Sequence, residues 1–139
     1  FSETFQRLFG GGNGEISLSN PNDPLNCGIE IIVQPPGKKR QLLSLFSGGE
    51  RALTAIAILF AMLKLKPTPF CILDEIEAAL DDANISYFAD YLKEFSKDTQ
   101  FIVVTHRKGT MERCDTLFGV AMEERGISSM VSVNLKDYQ

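Results

Sequence analysis

The chain has 139 residues, 44% hydrophobic and 23% charged, a balance that suits one domain with a real core and excludes a disordered polar segment. Its formal net charge is -4, so it lacks the basic excess of a domain built chiefly to grip nucleic acid. The longest apolar run, Ala52 to Leu63, is closed by Arg51 and Lys64 and falls short of the roughly 20 residues that a membrane span needs.

In chain order, Phe1, Phe5, Leu8 and Phe9 recur at helical spacing and predict a short amphipathic helix, ended by Gly10, Gly11 and Gly12. The opening at Phe1, without a Met or a visible signal peptide, suggests a fragment of a longer protein. Gly14 to Ser19 alternates, with Ile16 and Leu18 on one face, and reads as a strand. Asn20 to Pro24 is turn chemistry, and Gly28 to Gln34 is a second strand stopped by Pro35 and Pro36. The pair is expected to form an antiparallel meander with one wet face. Lys38, Lys39 and Arg40 follow, either as a solvated turn or as a contact to a phosphate or DNA backbone.

Ser47-Gly48-Gly49-Glu50 opens a long helix running to about Leu65. Apolar residues surround it: Leu53, Ile56, Ala57 and Phe60 on one side, Ala55, Ile58, Leu59 and Met62 on another. Such a helix is expected to be buried between layers. After Pro67 and Pro69, Phe70 to Leu73 is a continuous apolar strand of the central parallel type, ending in Asp74 and Glu75. Ile85, Phe88, Ala89, Leu92 and Phe95 mark an amphipathic helix. Phe101 to Val104 is another apolar strand, ending at Thr105 and His106. A short helix near Gly109 to Arg113 and strands near Thr116 to Ala121 and Met130 to Leu135 complete the chain. The alternation implies an α/β fold with a mostly parallel sheet, flanking helices and an N-terminal antiparallel section. Cys27, Cys71 and Cys114 are scattered and lack CxxC spacing, so they read as buried reduced thiols rather than disulfides or a zinc site.

In open α/β sheets ligands bind at the carboxyl ends of strands, and here those ends carry Asp74, Glu75 and His106. An apolar strand ending in Asp-Glu is the Walker B arrangement: Asp74 would face a hard cation, usually Mg²⁺ through water, and Glu75 would orient and polarise the water that attacks a γ-phosphate. The plain alternative is a strand that ends in two solvated acids. The helix start at Ser47 is a second signal. Gly48 and Gly49 let a ligand approach the backbone, and unpaired N–H groups with a partial positive charge make an anion site; the alternative is an ordinary N-cap. His106, the lone histidine, is either structural or a hydrogen-bonding partner for a γ-phosphate or attacking water. Asp81 is either a helix N-cap, with Asp82 competing, or a loop carboxylate at an interface.

These signals come in a fixed order. Phe46 to Glu50 resembles the ABC signature in its SMC form, Phe70 to Glu75 a Walker B strand, Ala79-Leu80-Asp81 a D-loop and His106 a switch histidine. The stretches DEIEAALDDAN (Asp74 to Asn84) and THRKGTME (Thr105 to Glu112) are very similar to SMC proteins of the bacterial or archaeal branch. The resemblance covers roughly Leu42 to Leu135 and implies the C-terminal half of an SMC ATPase head, an ABC-type, P-loop NTPase half-domain spanning residues 1–139. The N-terminal half-head, with its P-loop, and the long coiled coil would lie outside this chain; no G-x-x-x-x-G-K-[ST] run occurs here.

The resemblance further implies ATP and Mg²⁺ as cofactors. Asp74 would serve the metal, Glu75 and His106 catalysis, and Ser47, Gly48, Gly49, Glu50 and Asp81 the nucleotide. Two heads would sandwich two ATP molecules, the signature of one meeting the nucleotide of the other. Implied partners are the N-terminal half-head, a second SMC head in a homodimer, a kleisin subunit and DNA through the full complex, with no membrane. The setting would be cytoplasmic and nucleoid-associated, the role chromosome condensation and segregation. Glu50 stands where transporters of the wider ABC class usually carry Gln. Other readings are a coiled-coil ABC ATPase of DNA double-strand-break repair, a transporter's nucleotide-binding domain, and a non-catalytic interaction module.

Overall fold

A computed structural model describes residues 1–135. Helix α1 (Ser2–Phe9) buries Phe5, Leu8 and Phe9 and stops at Gly10, whose φ of 66° is left-handed. A Cβ at Gly10 would also meet the Tyr87 ring at 2.9 Å, so both backbone and packing require glycine there. Strands β1 (Asn13–Leu18) and β2 (Ile29–Gln34) pair antiparallel from Asn13↔Gln34 to Leu18↔Ile29, the expected meander. A strand of two residues that the sequence pattern did not suggest, β3 (Gln41–Leu42), extends it through Ile32↔Leu42 and Val33↔Gln41.

Helix α2 (Gly48–Leu65) follows a short 3₁₀ turn, Leu43–Leu45. Strand β4 (Phe70–Asp74) pairs in parallel with β5 (Gln100–Val104), Phe70↔Gln100 through Asp74↔Val104, and α3 (Asp82–Phe95) makes the crossover between them. Then come α4 (Lys108–Met111) and a hairpin of β6 (Thr116–Glu124) and β7 (Ile127–Asn134), longer at its turn than expected. Among the described residues β4–β5 is the parallel pair; the other two sheets are antiparallel. No helix among these residues is long and apolar enough to cross a membrane.

The core joins α1, α2 and α3. Phe5, Leu8, Leu53, Ala57, Phe60 and Phe88 are fully buried, and burying a Leu or Phe side chain contributes about 1.5–3 kcal/mol. Phe60 is the hub, with ring centroids of Tyr91, Phe95, Phe101 and Phe88 at 5.2, 5.6, 6.0 and 6.3 Å. Cys71, Leu73, Phe101 and Val103 turn the inner face of β4–β5 onto this core. The alternate residues Phe70, Ile72, Ile102 and Val104 form an outer face that is 48–60% exposed.

Helix α2 departs from expectation in the same way. Leu53, Thr54, Ile56, Ala57 and Phe60 are buried, whereas Ala55 is exposed, Ile58 and Leu59 are half-buried and Met62 is 55% exposed. Its apolar ring asks for cover on all sides, and the described elements cover one.

Candidate functional site

Local sequence explains the start of α2. Ser47 sits in extended backbone (φ -62°, ψ 163°) and its side chain forms a capping box with Glu50. Ser47 Oγ accepts from the Glu50 N–H at 3.4 Å, and the Glu50 carboxylate accepts from Ser47 N at 3.3 Å and Ser47 Oγ at 2.8 Å. The N–H groups of Gly48 and Gly49 have no acceptor within the helix by geometry, and they sit where the helix dipole is positive. A side chain at Gly48 would meet open space, while one at Gly49 would approach the Ala79 carbonyl oxygen at 3.0 Å. Glycine at Gly49 thus lets the signature segment lie against the turn that leads to Asp81.

Of the basic cluster, Lys38 Nζ lies 2.8 Å from Glu50 Oε1, and Arg40 pairs with Glu15. Two of the three cations are therefore matched by the chain's own acids, and Lys39 is exposed. Burial pushes the Glu50 carboxyl upward, but hydrogen bonds from Lys38 and Ser47 outweigh it and hold the group below the ordinary carboxylate range.

The end of β4 is built by distant segments. Strand alternation places Asp74 on the outer face with Phe70 and Ile72, exposed and in register with Val104. Glu75 breaks the alternation: its φ is 48°, left-handed for a residue with a side chain. Such backbone costs on the order of 1–3 kcal/mol and collects at functional sites. Hydrogen bonds hold it there, from Glu75 N to Val104 O at 2.9 Å and from Ala78 N to Glu75 O at 3.1 Å. The turned-out carboxylate meets His106, Nδ1 to Oε1 3.3 Å. Both side chains are more than half exposed.

Of the two adjacent acids, Asp81 is the N-cap of α3, accepting from Asn84 N at 2.8 Å, and Asp82 is the first helical residue. The structure therefore brings Glu75 to His106, places Asp74 beside them in sequence on the open strand end, and links Gly49 to the turn before Asp81. It shows no direct contact between Ser47 and the strand-end acids among the described residues.

Glu77 is the residue that sequence reasoning missed. It is 1% exposed, and its Oε1 accepts from Thr105 Oγ at 2.5 Å and Thr110 Oγ at 3.1 Å. In the string of acids from Asp74 to Asp82 nothing in composition or spacing marks it; its partners lie 28 and 33 residues away. A groove at α1, the end of α2 and α3, lined by Arg7, Tyr91 and Glu94 among others, contains none of these groups. The cysteines are free but half-buried rather than buried as expected, and what burial there is pushes the thiols of Cys71 and Cys114 up.

A parallel strand pair ending in an Asp-Glu step, a histidine at the next strand end and a glycine-opened helix form an α/β arrangement consistent with the ABC-type ATPase head fold. The family described as RecF/RecN/SMC N terminal domain matches residues 27–129. Chromosome partition protein Smc of Bacillus subtilis (strain 168) is 63% identical over 137 residues, which is 99% of this chain and 12% of that protein. A solved structure from work on ATP-driven dimerization and DNA-stimulated activation of SMC ATPases superposes with a TM-score of 0.89 at 44% identity, covering 99% of this chain and 83% of that one. An Smc head bound to the C-winged helix domain of ScpA gives a TM-score of 0.88 at 47% identity, over 99% of this chain and 42% of that one. The chain belongs to the SMC family and is part of its head region. It spans about an eighth of the length of the curated relative, 12%.

Proposed function

We propose that residues 1–139 are the C-terminal half of an SMC head, contributing the signature, Walker B, D-loop and switch histidine to an ATPase that works in chromosome condensation and segregation. The observation that carries this reading is the Glu75–His106 pair at the C-terminal end of the parallel strands, held by a left-handed Glu75. In this role the Glu75 carboxylate takes a proton from the attacking water and His106 steadies the water or the γ-phosphate. Asp74, exposed beside them, would hold Mg²⁺, which would neutralise charge on the phosphates. Among the described residues no three His, Cys, Asp or Glu side chains gather as a metal site. A Mg²⁺ held by one carboxylate with waters and phosphate oxygens fits that arrangement.

Residues Ser47, Gly48 and Gly49 suit a phosphate: two free N–H groups, a hydroxyl and open space above Gly48. In this reading that phosphate belongs to the ATP of a second head, because the strand-end acids of the same chain are not in contact with Ser47. Glu50 and Asp81 hold the signature helix and the D-loop in shape through their caps. The bare outer face of β4–β5 and the open side of α2 are where the N-terminal half-head completes the fold. Kleisin binding follows by analogy with the ScpA-bound relative, DNA engagement belongs to the assembled complex, and the setting is cytoplasmic and nucleoid-associated.

The split site gives the test. By calorimetry the purified chain should show no micromolar affinity for Mg-ATP, since it has no P-loop run. Adding the N-terminal half-head, as a second chain or through a linker in place of the coiled coil, should restore binding. Micromolar affinity of the chain alone would defeat the half-head reading.

A further inference from the structure

We propose that Glu77 is a positioning residue that clamps the turn after Walker B to the segment carrying His106, and so sets the geometry of the Glu75–His106 pair; this rests on the hydrolytic reading above. A carboxylate buried to 1% exposure ordinarily needs a cation, and the partners here are two threonine hydroxyls. Donor inventory fixes the direction of each bond. The Arg107 N–H donates to Thr105 Oγ at 3.0 Å, so that hydroxyl is free to donate its own proton to Glu77 Oε1 at 2.5 Å. Thr110 Oγ donates to the same oxygen at 3.1 Å. The chain of bonds flanks His106 on both sides, through Thr105 and Arg107, and ends on the first turn of α4.

A second strap joins the same two segments. Arg107 Nη2 donates to the Leu80 carbonyl at 2.6 Å and lies 3.5 Å from Asp82 Oδ1. The turn from Glu75 to Asp81 and the segment from Thr105 to Thr110 are therefore tied twice, once in the core and once at its rim. Glu77 Oε2 is buried without a hydrogen-bond partner among the described residues. Oε1 alone takes both threonine bonds, so one oxygen joins the turn after β4 to the segment on either side of His106. Among the described residues the His106 ring makes one hydrogen bond, to Glu75, so the clamp on its two neighbours restricts the ring's approach to that carboxylate.

The experiment uses the complete head, both halves present, and follows ATP turnover. Glu77→Ala should lower kcat by about tenfold or more with KM for ATP changed less than about twofold, because the clamp acts on the reacting geometry rather than on nucleotide binding. Thr105→Val should reproduce the loss and Thr105→Ser, which keeps the hydroxyl, should restore most of it. This pair decides the matter if Glu77→Ala does not fold. The readout that a structural role would not move is a double-mutant cycle. On a His106→Ala background Glu77→Ala, or Thr105→Val, should reduce kcat by less than about twofold further, since both act through the same imidazole. Effects that multiply, a kcat within about twofold of wild type, or equal losses for Thr105→Ser and Thr105→Val would overturn the clamp. Glu75→Gln serves as the control: turnover surviving in that variant sinks the hydrolytic reading itself, whereas turnover lost there and unaffected by the Glu77 and Thr105 variants sinks the clamp alone.

Discussion

The start of α2 and the end of β4 are both open polar ends of elements covered on one face, and they are assembled in opposite ways. Four consecutive residues, Ser47 to Glu50, make the first, with one tie from Lys38. Two stretches about 30 residues apart make the second: the strand end with the turn through Glu77 that continues it, and the segment from Thr105 to Thr110. A site built locally holds its shape from propensity and capping, so substitutions there act on what approaches it. A site built from distant segments depends on packing and register, so substitutions there act on the alignment of reacting groups.

The strongest way to test that contrast is at the strand end. In a reconstituted head Glu75→Gln should retain ATP binding and ATP-dependent head dimerisation while turnover falls. The amide keeps the shape but cannot accept a proton, and loss of a positioned general base typically costs about 10²–10⁴-fold. Steady-state hydrolysis within about threefold of wild type would contradict the assignment.

At the helix start the expected effect is on assembly. Ser47→Arg should leave ATP binding by a single head intact and block engagement of two heads, because the space above Gly48 is what allows a foreign phosphate to reach the helix N-terminus. Sedimentation of ATP-loaded heads reads this out. A normal dimer would show that the local site does not face a partner.

The same contrast explains what the sequence made legible. The Ser47-Gly48-Gly49-Glu50 run signals a helix start within four residues, and the helix does begin there, at Gly48 with Ser47 as its cap. Strands β4 and β5 announced themselves as apolar runs, with Asp74, Glu75 and His106 at their ends, and the ordered set of motifs gave the family. The role of Asp81 stayed open because two adjacent acids compete for one cap, and only backbone geometry chose between them. Glu77 was invisible, since burial by Thr105 and Thr110 is a tertiary fact. The apolar ring of α2 predicted cover on all sides, and the described elements supply it on one. Which side receives it here depends on elements that pack against Phe60 and not against Met62. Likewise the unbroken apolarity of β4 and β5 predicted two covered faces, whereas the structure covers the one carrying Leu73 and leaves Ile72 60% exposed.

The smallest expected effect sharpens the local side of the comparison. Glu50→Gln keeps an N3 side chain that can complete the capping box, since Gln serves there as Glu does. It removes only the charge that Lys38 meets at 2.8 Å. In the native protein the Glu50 carboxyl lies below its ordinary range: burial opposes the charge, and the Lys38 and Ser47 hydrogen bonds outweigh it. A carboxyl depressed by folding adds stability that is present above its unfolded value, near 4.3, and is lost as pH falls through the lower folded value. Melting curves of the reconstituted head should therefore show wild type ahead of Glu50→Gln at neutral pH by no more than about 1 kcal/mol, because Lys38 remains half exposed and screened. The gap should narrow below about pH 4.3 and close as the carboxyl protonates. A gap that widens on acidification would mean that the carboxylate strains the helix start rather than anchoring it, and that the tie from Lys38 is not what holds the signature segment in place.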